Sequence, residues 1–154
     1  MSESEVKASY CASDPEGWLH AVGQREDLLC IVFFRGSWCK YDEFYLKSLG
    51  KHHMTTMKKE KVKMIAWTSQ GAAGAAEADE KWGLKKDFGY DEVIGDDTCA
   101  LAKYLVDDEI LPDLKIVSPA EANLTEVIND DKAYPNGIAM PAMVWYAHHG
   151  NLVS

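Results

Sequence analysis

The chain has 154 residues and a mass of 17.2 kDa, a length that suits one domain. Its residues are 47% hydrophobic and 27% charged, which is globular composition and excludes disorder as the main state. With 16 basic residues against 25 acidic ones the net charge is −9, so a phosphate backbone would be repelled and no nucleic-acid partner is expected.

No apolar run approaches the ~18–20 residues of a membrane helix, so no membrane insertion is expected. The opening Met1-Ser2-Glu3-Ser4-Glu5 is acidic and lacks the basic and apolar regions of a secretory signal. The four cysteines, Cys11, Cys30, Cys39 and Cys99, are widely spaced and form no C-x-x-C pair. This pattern points to free thiols in a reducing, intracellular setting, the cytoplasm, or an organelle if a leader has been removed.

In chain order, residues 1–12 read as a flexible N-terminal arm preceding a domain over 13–154. Ser13-Asp14-Pro15-Glu16 is a helix-start signal, and a short helix to about Val22 follows, ended by Gly23. Leu28–Phe34 is continuously apolar, as in a central strand buried on both faces. Gly36-Ser37 breaks it, and a helix runs from Trp38 or Cys39 to about Lys59. Val62–Trp67 is the next strand, Ala72–Trp82 a helix, and Glu92–Gly95 a short strand. Asp97-Thr98 caps a helix over Cys99–Leu105. Leu114–Val117 and Leu124–Ile128 read as short strands. Ala142–Tyr146 is a strand, His148–Asn151 a turn, and Leu152-Val153 the start of its return partner. This alternation predicts an α/β fold with a mixed sheet and a parallel first crossover.

The chemistry concentrates around Cys39. Val32-Phe33-Phe34-Arg35-Gly36-Ser37-Trp38-Cys39-Lys40-Tyr41 reads as strand, turn, Trp-Cys, helix, which puts the sulfur at a helix N-terminus. Unsatisfied backbone N–H groups there favour a thiolate, and Arg35 and Lys40 add positive potential. The expectation is an exposed, electropositive thiol with a lowered pKa.

Phe-Arg-Gly-x-Trp-Cys ahead of a helix resembles the thioredoxin-like superfamily, and more narrowly its peroxiredoxin-like branch, the alkyl hydroperoxide reductase and thiol-specific antioxidant group. Val62–Ser69 and Asn136–Tyr146 resemble later blocks of that family in order and spacing. The resemblance implies a three-layer sandwich with a mixed central sheet. It also implies a cis proline beside the cysteine, matched here by Met140-Pro141. The family usually adds a C-terminal helix after the last hairpin, whereas the residues given end at Ser154, at or inside the last strand, so the expectation is either a shortened chain or a partner covering that face of the sheet. Three positions depart from the family pattern. Asp42 stands where dithiol members carry a second Cys, Gly36 where peroxiredoxins place Thr or Ser, and Pro141 where they place an Arg.

What the resemblance implies is a thiol-disulfide oxidoreductase with antioxidant character. Cys39 is the catalytic sulfur for disulfide exchange or weak peroxide reduction. Arg35, Trp38, Lys40, Asp42 and Pro141 support it, and Cys99 is a candidate resolving thiol that competes with a plain buried role. No cofactor is expected. An external thiol, such as glutathione or a thioredoxin-type reductant, resolves Cys39, so the partner is a small thiol or a redox protein. The alternative is a non-catalytic subunit of a larger complex or a homodimer. Neither His52-His53 nor His148-His149 has a ligand partner at metal spacing, so no metal is expected.

Overall fold

The structure, a computed structural model, describes residues 2–25, 28–124 and 134–147. Its elements in chain order are α1 (Glu3–Ser13), α2 (Pro15–Arg25), β1 (Leu28–Phe34), α3 (Lys40–Lys59), β2 (Val62–Thr68), α4 (Ala72–Trp82), α5 (Leu84–Phe88), β3 (Glu92–Gly95), α6 (Ala100–Asp107), β4 (Ile116–Val117), β5 (Ile138–Ala139) and β6 (Ala142–Ala147).

Four strands form the main sheet in the order β3-β2-β1-β6. β1 runs parallel to β2 with Leu28 opposite Val62, and β2 runs parallel to β3. β6 returns antiparallel along β1, with Phe33 opposite Ala142. A small antiparallel pair, β4 with β5, lies apart from it.

Side chains alternate across a strand, so the apolar run of β1 feeds two cores. Leu29, Ile31 and Phe33 join Ile65, Trp67, Ile94, Val144 and Tyr146 against Cys11, Trp18 and Leu19 of α1 and α2 and Leu101 and Leu105 of α6. Cys30, Val32 and Phe34 join Met64, Ala66 and Val93 against Leu46 and Met54 of α3, Ala75, Ala78 and Trp82 of α4 and Leu84 of α5. Helices therefore cover both faces of a mixed sheet, and the fold is the three-layer thioredoxin-like sandwich.

The expected N-terminal arm is instead a helix. Ser2 caps α1 by accepting from the Glu5 amide at 3.1 Å, and Ala8 and Cys11 are buried in the first core. Asp14 joins α1 to α2. Its amide donates to the Tyr10 carbonyl, and its carboxylate accepts from the Gly17 amide at 3.0 Å. The second helix runs on past Gly23 to Arg25, since an internal glycine costs a helix only about 1 kcal/mol. The strand expected over Leu114–Val117 keeps only Ile116 and Val117. Leu124–Ile128 falls almost wholly outside the described residues, and the His148–Asn151 turn and its return strand fall wholly outside them. Among the described residues no helix is long and apolar enough to cross a membrane.

Candidate active site

The turn between β1 and α3 builds the site. β1 ends at Phe34, α3 starts at Lys40, and Cys39 is the N-cap residue with extended backbone (φ −91°, ψ 110°). The Cys39 amide donates to the Gly36 carbonyl at 3.2 Å, which closes the turn. The end of β2 and the residues just after it hold it in place. Gln70 accepts from the Ser37 amide at 2.8 Å, and the Thr68 hydroxyl donates to the Arg35 carbonyl at 3.1 Å.

Arg35 links sulfur and carboxylate. Its Nη2 donates to Cys39 Sγ at 2.9 Å and to Asp42 Oδ1 at 3.3 Å, while its Nε donates to Asp42 Oδ2 at 3.2 Å. The Arg35 amide also donates to Asp42 Oδ2, at 2.8 Å. Asp42, 5% exposed, is thus the anchor that fixes the guanidinium against the sulfur. Burial works against the charge of Arg35, but Asp42 and then Cys39 outweigh it and hold the guanidinium above its usual value.

The sulfur departs from the expectation of an exposed, acidified thiol. Cys39 is 4% exposed, and its pKa is raised above the ordinary 9.0. Burial is the main cause, and the negative charge of Asp42 adds to it. The Asp42 amide, the charge of Arg35 and the Tyr41 amide pull the other way without overcoming burial. The helix N-terminus favours the anion as expected, though no capping hydrogen bond forms from the sulfur. Desolvation is the larger effect.

Among the supporting residues, Trp38 is half-buried, and the Arg35 guanidinium carbon sits 5.9 Å from its ring centroid. The Lys40 side chain is exposed and lines a groove along α3 with Phe44 and Lys47. Pro141 is exposed and immediately precedes β6, near the end of β1 from which Arg35 departs. The expected cis bond is not there: no peptide among the described residues is cis, so Met140–Pro141 is trans. Trans is the lower-energy isomer of an X–Pro bond by about 0.5–1 kcal/mol, and Pro141 is exposed just before β6, the outermost strand among the described residues. Cys99 is the residue before α6. Its Sγ contacts Ser69 Oγ and the Gly137 carbonyl, both at 3.3 Å, and burial raises its thiol. All four cysteines are free and buried. The His52 and His53 rings lie 6.5 Å apart on α3, and no cluster of three or more metal-ligating side chains occurs among the described residues.

Tyr134 is a site residue that the sequence did not suggest. Its hydroxyl donates to the Arg35 carbonyl at 2.8 Å and accepts from Trp38 Nε1 at 2.7 Å. Any side chain at Gly36 would run into the Tyr134 hydroxyl and Trp38 Nε1. The phenol and indole therefore fill the space in front of Gly36. Nothing local marks Tyr134 in the sequence, because ninety-odd residues separate it from the turn.

No protein-family model matches the chain, and no curated protein matches it. Among solved structures, a reduced 2-Cys peroxiredoxin of Plasmodium vivax is similar at 12% identity and a TM-score of 0.47, over 83% of this chain and 64% of its own. A peroxiredoxin 6 mutant of Arenicola marina is similar at 15% identity and 0.47, over 83% and 51%. A hypothetical protein of Sinorhizobium meliloti is similar at 15% identity and 0.46, over 86% and 57%. The chain thus spans between half and two thirds of the length of these structures. By its own strand order and layers, with Cys39 at the turn between an interior strand and the following helix, the chain has a thioredoxin-like fold.

Proposed function

We propose that the chain is a thiol-disulfide oxidoreductase with Cys39 as its single reacting sulfur. The observation that carries this reading is the Arg35 guanidinium, donating to Sγ at 2.9 Å where α3 begins. A thiolate formed there has a cation and helix amides waiting for it.

In the resting protein the thiol is closed in and protonated. Reaction requires local opening and loss of the proton to solvent. The thiolate then attacks one sulfur of a substrate disulfide, forming a Cys39 mixed disulfide and releasing the other sulfur as a thiolate that takes up a proton. Asp42 occupies the position of a second cysteine, so an external thiol of the glutathione class attacks the mixed disulfide and returns Cys39 to the reduced state. Peroxide gives sulfenic acid and the corresponding alcohol or water, less efficiently, because Gly36 and Pro141 supply neither a hydroxyl nor a guanidinium to the oxygens.

The test is intact-mass spectrometry after incubation with oxidised glutathione. One glutathione adduct is expected, located on Cys39, absent from Cys39→Ser and removed by reduced glutathione. Absence of the adduct, or the same adduct on Cys39→Ser, overturns the proposal. The alternative of a non-catalytic assembly subunit draws on the 4% exposure of Cys39, and an unreactive native thiol is its signature.

A further inference from the structure

Helix α3 combines lysines with exposed aromatics. It carries five lysines against two acids, in a chain of net charge −9. One of those acids, Asp42, is buried against Arg35, and the other, Glu43, is paired with Lys47 at 2.7 Å. Among the described residues no carboxylate lies within ion-pair distance of Lys40 or Lys51. On the same helix Tyr41 is 83% exposed, Phe44 74% and Tyr45 45%. Three large aromatics left in water within five positions mark an interaction surface rather than scattered exposure.

Of these aromatics Phe44 borders a groove of about 450 Å³, with Phe88 as its other apolar wall and Lys40, Lys47 and Lys51 along it beside a single acid, Glu43, already paired with Lys47. The lining positions recur every three to four residues, so they form one helix face. The groove starts at Lys40, the residue after the reactive sulfur, and reaches His52. At 1.5 Å per residue that is about 18 Å. An extended peptide of about five or six residues has the same length.

We infer that this groove docks an acidic peptide segment with an apolar anchor, carried by the disulfide protein that Cys39 exchanges with. Lys40 and Lys51 meet its carboxylates, and Phe44 and Phe88 hold the anchor. The groove's three lysines outnumber its one acid, so its charge is opposite to the chain's net −9, which attracts an acidic segment. A nucleic-acid strand fits less well, because it must bring a long phosphate chain to a protein of net charge −9. That the docked segment is a redox substrate rests on the proposed role of Cys39.

The test separates docking from chemistry by using full-length Cys39→Ser, which cannot exchange. Fluorescence anisotropy compares three labelled probes: a hexapeptide of glutamates around one phenylalanine, the same peptide with lysines for glutamates, and a single-stranded oligonucleotide. The acidic peptide is expected to bind at least tenfold tighter than the lysine peptide and the oligonucleotide, and more weakly as salt rises. Lys51→Glu is expected to weaken it about three- to tenfold, and Phe44→Ala by a similar factor. Both side chains are exposed, and circular dichroism checks that the variants stay folded. Equal binding of the two peptides, tighter binding of the oligonucleotide, no binding at all, or indifference to both substitutions overturns the inference. A dimer in sedimentation equilibrium that Lys51→Glu dissolves also overturns it, by making a second copy the occupant. A failed docking test beside a positive glutathione adduct leaves the thiol reading intact. Docking without an adduct overturns that reading and the substrate role, and leaves a binding groove.

Discussion

Replacing Arg35 by Met tests whether the guanidinium stabilises the Cys39 anion or only packs beside it. Arg35 Nη2 lies 2.9 Å from Sγ, and the same guanidinium reaches Asp42 at 3.2 and 3.3 Å. A hydrogen bond to a charged group is worth about 1.5–3 kcal/mol. The charge is shared with Asp42, so the lower end applies, and about 1.4 kcal/mol is a tenfold change in thiolate population. The loss also leaves the negative charge of Asp42 uncompensated, which acts in the same direction. Arg35→Met is therefore expected to slow alkylation of Cys39 by iodoacetamide about tenfold at pH 7, with Arg35→Lys between it and the parent. The variant should remain folded, because Asp42 keeps its bond from the amide of residue 35, at 2.8 Å. The assay is the rate of Cys39 modification against pH, followed by peptide mass spectrometry, with near-ultraviolet circular dichroism as the check on folding. Superimposable rate profiles for parent and Arg35→Met would refute the reasoning.

Gly36→Thr, which installs the hydroxyl that peroxiredoxins carry, forces Trp38 and Tyr134 out of the space they fill. A loss of about 1–3 kcal/mol in urea unfolding, with altered tryptophan emission, is expected, and an unchanged midpoint would contradict it. High pH should destabilise the fold. Burial pushes the Cys30 thiol from 9.0 up to about 12 and the Tyr134 phenol from 10.0 up to about 12. The unfolded chain then releases these protons first, so stability is complete below about pH 9 and falls progressively toward pH 12. Urea midpoints that stay level between pH 8 and pH 10.5 would contradict this account.

The strands of the main sheet were legible because their signals are local, whereas the two-residue β4 and β5 are too short to carry one. Leu28–Phe34 is an uninterrupted apolar run and is β1 residue for residue, and Glu92–Gly95 is β3. The start of α2 was marked by a capping side chain, and Asp14 does accept from the Gly17 amide, whereas α6 starts at Ala100 behind a left-handed Cys99 that gives it no side-chain cap. Helix α1 was missed because only Ala8 and Cys11 are buried, too few to set a period against a polar sequence. At the site, Cys39, Arg35 and Trp38 were legible because strand, turn and helix follow directly in sequence. The depth of the sulfur was not, since burial depends on what the rest of the chain lays over the turn. Tyr134 shows the same limit, because its bonds to Trp38 and Arg35 exist only once the fold has closed. Asp42 was read as a supporting residue that stands where a second cysteine would be. The structure shows how: it holds the guanidinium that favours the thiolate, while its own charge opposes it.

The pairing of β1 has a consequence for biosynthesis. One flank of this strand is satisfied by β2, made shortly afterwards, but the other waits for β6, among the last described residues to emerge from the ribosome. Through most of translation, Leu-Leu-Cys-Ile-Val-Phe-Phe offers an open row of amides and carbonyls with no charged residue to deter a neighbour. Nascent chains on a crowded polysome could zip together along that row, so yield of the intact protein depends on how quickly residues 142–147 arrive or on a chaperone that shields the strand until they do.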